Sequence, residues 1–252
     1  MIRLLAGSLL CAALGLSATA DAAAPASANK LIALVDASNC DQIRLADRLD
    51  AAGRVMTQDR RTTRVSIGRP AEPVRNLDLM GRPSPFAAAI EVSAPPAELG
   101  KLARRLRSAL GRECSVAVYL VKERRLMTTA RTWRLGEPSP TTKTLVTLSR
   151  KPGVSLETFN REWSGPHAGL ALAWRTARGG NGYYVQNFVV GRMGDAEGID
   201  GIGESEGPGG SPSPQERDAR ARTAAHAATF QDLSSSKMLI VREMILKDQA
   251  RT

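Results

Sequence analysis

The stretch Arg150-Lys151-Pro152-Gly153-Val154-Ser155-Leu156-Glu157-Thr158-Phe159-Asn160-Arg161-Glu162-Trp163, continuing Ser164-Gly165-Pro166-His167, decides the reading of this chain. A strand ends at Pro152-Gly153, and Ser155 offers the side-chain acceptor of a helix N-cap. Phe159, Trp163 and His167 then recur every four residues, which puts two aromatic rings and one imidazole on one helix face. Pro166 lacks a backbone donor, so the helix is expected to break near Gly165-Pro166.

Working outward, Thr144–Leu148 reads as the strand before this helix, which itself runs Leu156–Ala177. Tyr183–Val190 is a strand rich in Tyr, Val and Phe, and Gly198–Glu204 is a weaker, Gly-rich one. An Ala-rich helix over Gln215–Leu233 and a strand over Met238–Ile245 complete a βαββαβ order. The first half repeats it. Leu31–Val35 is a strand, and Asp41–Ala52 a helix expected to close at Gly53. Val55–Ile67 and Phe86–Val92 are strands around a Pro-rich connector, residues 69–85. A helix opened by Pro95-Pro96 closes at Gly111, and Val116–Val121 is the fourth strand. The class is therefore α+β, with two tandem ferredoxin-like units. A four-stranded sheet with both helices on one face leaves the other face bare, and a second copy covers it. An internal pseudo-dimeric α+β barrel follows, with units at 30–126 and 143–248 and a linker at 127–142.

The second half resembles the EthD family. The motif from Arg150 to His167 carries the likeness, with Tyr184-Val185-Gln186-Asn187, Asp200-Gly201-Ile202-Gly203-Glu204 and Phe230-Gln231-Asp232 following in order. Phe188 stands where the family often has His, and Ser205-Glu206-Gly207 replace its usual aromatics before an insert, Pro208–Pro214. The resemblance implies a cofactor-free protein acting on a small apolar or aromatic molecule, by decarboxylation, dehydration or cyclisation. It makes His167 the acid/base and Phe159, Trp163, Tyr184, Asn187 and Phe188 the ligand-binding set, in a pocket of the second half. The residues alone leave other readings open. His167 also suits a ring that packs the broken helix, and Phe159 and Trp163 suit a core. Tyr184, Gln186 and Phe188 alternate against Tyr183, Val185 and Asn187, and either face can meet the helices. Asp200 and Glu204 share a strand face and read as an exposed, solvated pair, and His226 as partly exposed.

The start Met1-Ile2-Arg3, an uncharged run from Leu4 to Ala20 and small residues at its end form the pattern of a secretory leader over 1–20, with a disordered tail over 21–29. Export to the periplasm or medium is expected. Cys40, just past the first strand, and Cys114, just before its antiparallel neighbour, are then expected to form a disulfide. With only two histidines and no Cys/His ligand spacing, no metal site is expected. Lys and Arg exceed Asp and Glu by ten. In an exported chain that excess fits weak contact with an anionic membrane surface, whereas the scattered basic residues, without interleaved aromatics, exclude a nucleic-acid platform. The sequence holds no nucleophile elbow, phosphate loop or dinucleotide fingerprint. A non-catalytic envelope module is the alternative function, and monomer or homodimer both fit.

Overall fold

A computed structural model describes residues 28–36, 40, 42–71, 77, 81–111, 114–177, 182–194, 196, 198–206 and 213–249. The expected leader, most of the tail and residues 207–212 of the insert lie outside the described residues. The strands are β1 Lys30–Asp36, β2 Arg64–Pro70, β3 Phe86–Ser93, β4 Ser115–Met127, β5 Pro138–Leu148, β6 Tyr184–Gly194, β7 Gly201–Glu206 and β8 Met238–Asp248. The helices are α1 Gln42–Gln58, α2 Pro96–Leu110, α3 Leu156–Glu162 and α4 Ala168–Ala177, joined by a π turn over Trp163–His167, and α5 Pro214–Phe230.

All strand pairs are antiparallel, and they close a barrel in the order β1-β3-β2-β8-β5-β7-β6-β4. Each half contributes a four-stranded sheet with its fourth and first strands adjacent, then its third and second. The halves join at two equivalent seams, β2 with β8 and β4 with β6. This is the α+β barrel expected from the bare-face argument. Alternation along the strands sends one set of side chains out under the helices and one set into the lumen. On β1, Leu31, Ala33 and Val35 pack under Leu49 and Met56 of α1 and Leu99, Leu102 and Leu106 of α2. Ile32 and Leu34 point the other way and meet Tyr119, Val189, Ile202 and Leu239 inside the barrel.

The structure corrects several boundaries. α1 does not stop at Gly53 but runs to Gln58, so β2 begins at Arg64 rather than near Val55. Gly53 serves closeness of packing, since a Cβ there would lie 2.6 Å from both Ile67 Cδ1 and Leu246 Cδ1. Sequence alone could not separate that role from a C-cap. β5 starts at Pro138, inside the expected linker, and shifts register between Pro138 and Thr142. Ala28 is fully buried and Asn29 accepts a hydrogen bond from Glu123 N at 2.8 Å, so the packed chain begins before Lys30. Ser213 and Pro214, read as insert, start α5, with Ser213 and Glu216 forming a reciprocal capping box.

Cys40 and Cys114 form the disulfide, with their Cα atoms 4.7 Å apart. The bridge ties the start of α1 to the start of β4 across 74 residues. Its reduction is expected to lower stability by about 2–4 kcal/mol through the freed denatured chain. Urea unfolding with and without reductant, beside Cys40→Ser/Cys114→Ser, measures it, and equal midpoints would refute a stabilising bridge. Among the described residues, no helix is long and apolar enough to cross a membrane.

Candidate functional site

On the helix side of the second sheet, Ser155 caps α3 by accepting from Thr158 N at 3.1 Å. The missing donor at Pro166 is accommodated by the π turn, which widens the helix through Trp163–His167. Phe159 and Trp163 turn toward the sheet and are buried with Leu148 and Phe230. Phe159 meets Phe230 edge-on at 5.6 Å, and Trp163 meets Phe188 at 4.7 Å. Gly201 makes room for the indole, since a Cβ at that position would lie 2.4 Å from Trp163 Cζ3. The Gly of the Asp200–Glu204 motif is thus a seat for Trp163. Gln186 Nε2 donates to Trp163 O at 2.7 Å, and the Arg175 guanidinium lies over the Tyr184 ring at 4.0 Å. The Tyr184/Gln186/Phe188 face therefore meets the helices, while Tyr183, Val185 and Asn187 face the lumen. Tyr184 and Asn187, expected to hold one ligand, stand on opposite sides of the sheet.

His167 stacks on His226 at 5.8 Å and meets Phe230 edge-on at 5.6 Å. His226, partly exposed as expected, has Nε2 3.6 Å from the Glu162 carboxylate. Burial, then the neighbouring His226 and Arg175, pull the His167 pKa down to about 4. Its ring is neutral at pH 7. A folded pKa below the unfolded value means that this stability is complete above about pH 6.5 and is lost as pH falls toward 4. Urea midpoints at pH 7, 5.5 and 4.5 are expected to decline in wild type and to decline less in His167→Gln. Parallel profiles would contradict this.

The lumen holds what the sequence reading missed. Lys30 stands opposite Ser93 and Val121, and Lys143 stands opposite Glu206 and Val241. Two residues along from those partners come Glu91 and Glu123 in the first half, and Glu204 and Glu243 in the second. Each half thus carries one Lys and two Glu at equivalent positions, and the two triads meet inside one end of the barrel. Lys30 Nζ lies 2.5 Å from Glu91, 3.1 Å from Glu123 and 2.5 Å from Glu204. Lys143 Nζ pairs with Glu91, with Glu204 at 2.8 Å and with Glu243 at 3.0 Å. The fully buried Glu204 carboxylate also accepts from Asn187 Nδ2 at 2.7 Å and from the Tyr183 hydroxyl at 2.9 Å. The expectation of an exposed Asp200/Glu204 pair is therefore overturned. Asp200 is buried too, and accepts from Arg150 N at 2.8 Å.

The electrostatics are set by mutual compensation. Burial pushes the Glu204 pKa up, but Lys143 and Lys30 more than reverse this and hold it well below the carboxylate range. Burial lowers both lysines, and Glu204 leads the acids that raise them above their ordinary value. Burial, then Glu204, raises the Tyr183 hydroxyl. At neutral pH all four keep one protonation state.

Above this network the lumen opens into a cavity of about 300 Å³ at the end where β4 stops and β5 begins. Arg64, Lys143, Tyr183 and Glu243 form its floor, Ile245 is in its wall, and Arg131 and Trp133 come from the segment between β4 and β5. Both halves supply it. Trp133 Nε1 and Arg131 Nη1 are shielded from solvent and make no hydrogen bond.

No family model matches the sequence, and no curated protein matches it either. Solved structures do match. An anthrone oxidase-like protein aligns with a TM-score of 0.58 at 11% identity, over 88% of this chain and 94% of that one. A dye-decolorizing peroxidase from Bacteroides thetaiotaomicron aligns with a TM-score of 0.47 at 9% identity, over 87% of this chain and 94% of that one. The fold is that of the dimeric α+β barrels. At such identity the likeness reaches the architecture and not the chemistry.

Within this barrel, the lumen residues left a trace in the sequence. Glu91 and Glu243 each interrupt an apolar run inside a strand, while Lys30, Lys143 and Glu204 have polar or glycine neighbours that hide them. Trp133 and Arg131 lie in a stretch without periodicity, and only the closure of the barrel brings them to its mouth.

Proposed function

We propose that the protein binds a small apolar or aromatic molecule in the cavity at the open end of its barrel. The carrying observation is a cavity of about 300 Å³ whose wall mixes Trp133, Pro140 and Ile245 with threonine and charged side chains above a fixed polar floor. Small-molecule sites are usually concave, mostly apolar pockets of roughly 300–1,000 Å³ with a few placed polar groups. The floor groups titrate away from neutral pH, with Lys143 and Tyr183 raised and Glu243 lowered, which favours binding and orientation over proton transfer. The leader pattern and the Cys40–Cys114 bridge support assignment to an exported, oxidising compartment.

A thermal-shift screen of the oxidised protein with aromatic compounds tests this, beside Ile245→Trp, which fills the cavity. A ligand at about 100 times its Kd adds about 2.7 kcal/mol of stability. Ile245→Trp is expected to abolish the gain. A gain that survives the filled cavity would rule out this site.

A second reading follows the EthD likeness of Arg150–His167 and makes His167 an acid/base beside the π turn. Its support is a buried His167 Nδ1 without a hydrogen-bond partner. With a pKa of about 4 the ring enters such a reaction as a neutral base, not as an acid. His167→Gln would then end turnover of a bound compound while sparing its affinity.

A further inference from the structure

The acids inside the mouth of the barrel have their counter-charges on the spot. Glu91, Glu123, Glu204 and Glu243 are balanced by as many cations, Lys30, Lys143, Arg64 and Arg125. The cations are held differently. Lys143 is enclosed by Glu91, Glu204 and Glu243, and Arg125 Nε donates to Glu123 at 2.6 Å. Arg64 stands 3.6 Å from Glu243, too far for a hydrogen bond. Its side chain is only 24% exposed, yet among the described residues its guanidinium hydrogen-bonds no protein acceptor. Its nitrogens stay open to solvent, unlike Arg131 Nη1 and Trp133 Nε1, which are shielded. The opening is toward the cavity. Val65 and Ile67 pack under the helices, so alternation turns Arg64 into the lumen, where it lines the cavity of about 300 Å³. Burial disfavours the Arg64 charge, but Glu243 leads the groups that more than reverse this. Arg64 is thus a fixed cation whose charge is balanced and whose donors are unfilled.

We infer that the ligand is an uncharged carbonyl compound with an apolar or aromatic body, its carbonyl oxygen taken by the Arg64 guanidinium. This rests on the cavity being the binding site. A guanidinium only donates, so its partner is an acceptor, and the two lone pairs of one carbonyl oxygen match two prongs of its fork. A carboxylate fits the same fork but brings a further negative charge beside Glu243 and Asp248, into a network already in balance. Like charges at such range repel strongly where water is scarce. An amine sets its own charge and N–H groups against those of Arg64. The body of the ligand lies against Ile245 and Trp133.

Calorimetry on the oxidised protein with three compounds of one ring system tests this. 1-Acetonaphthone carries the carbonyl, 1-ethylnaphthalene has nearly the same shape without the oxygen, and 1-naphthoate adds a negative charge. The ketone is expected to bind at least about tenfold tighter than naphthoate, since the anion meets Glu243 at close range. Arg64→Met is expected to weaken the ketone at least about tenfold, the worth of a hydrogen bond to a charged donor, and to leave 1-ethylnaphthalene within about twofold. Arg64→Lys keeps the balancing charge and serves if the Met variant does not fold. It is expected to weaken the ketone several-fold, because the fork is lost. If naphthoate binds as well as the ketone, or if the substitutions leave the ketone's affinity unchanged, the carbonyl inference is wrong while the cavity remains the site. If neither the ketone nor 1-ethylnaphthalene binds the folded protein, the inference and the cavity reading both fail.

Discussion

Glu204→Ala is expected to destabilise the protein by about 3–5 kcal/mol, the cost of breaking a buried ion pair by removing one partner. The position carries more than a pair, because one carboxylate accepts from Lys30, Lys143, Asn187 and Tyr183 without contact with water. Its loss takes one counter-charge from each of two buried lysines, which keep Glu91 and Glu123 or Glu91 and Glu243, and leaves the Tyr183 hydroxyl without its acceptor. Glu204→Gln keeps the shape and one acceptor oxygen, and is expected to lose less. The pH dependence has a definite sign. A folded pKa below the unfolded value gives stability that is present above the ordinary carboxylate range and lost as pH falls through the folded value. Wild type is therefore expected to lose stability steeply below about pH 4, and Glu204→Ala to show a shallower acid slope. Urea unfolding from pH 7 to pH 3 reads both. A loss under about 1 kcal/mol at pH 7 would show that the network is solvated, as surface pairs are.

Trp163→Ala is the second large effect, about 3–5 kcal/mol for removing a large buried aromatic. The indole fills the space between the π turn and β7, against Phe159, Phe188 and the bare backbone of Gly201. Gly201→Ala drives a methyl into that indole and is expected to cost about 1–3 kcal/mol by overpacking. The double variant is informative, since a truncated Trp163 frees the space that the methyl needs. Its loss is expected to fall short of the two single losses combined. Full additivity would mean that the two residues do not touch. A Trp163→Ala variant of near-native stability would return the residue to the role of an open ligand platform.

The sequence made the architecture readable because helices and strands announce themselves by period. The Ser155 cap, the Pro166 break and the β-branched runs each act locally, so each is visible without the rest of the chain. Cys40 and Cys114 were readable one step later, since antiparallel neighbours bring those strand ends together. Gly53 misled because a glycine that ends a helix and one that lets a helix approach a sheet look alike. Glu204 misled for another reason. Its surroundings, a Gly-rich strand beside a Ser/Glu/Gly run, suggest solvent, and its burial depends on Lys30, which lies 174 residues away. Trp133 was invisible because a long-range closure, not a local pattern, carries it to the cavity.

The central claim is that ligands enter the mouth of the barrel and not the helix-side cluster around His167. The indole region of a proton–nitrogen correlation spectrum tests it directly, because the chain has three tryptophans, Trp133, Trp163 and Trp174. Trp133 lines the cavity, while Trp163 and Trp174 lie on the helix side. Titration with 1-acetonaphthone is expected to move the Trp133 indole signal and leave the other two in place. Movement of the Trp163 signal with Trp133 unchanged would contradict the account and return the site to the helices.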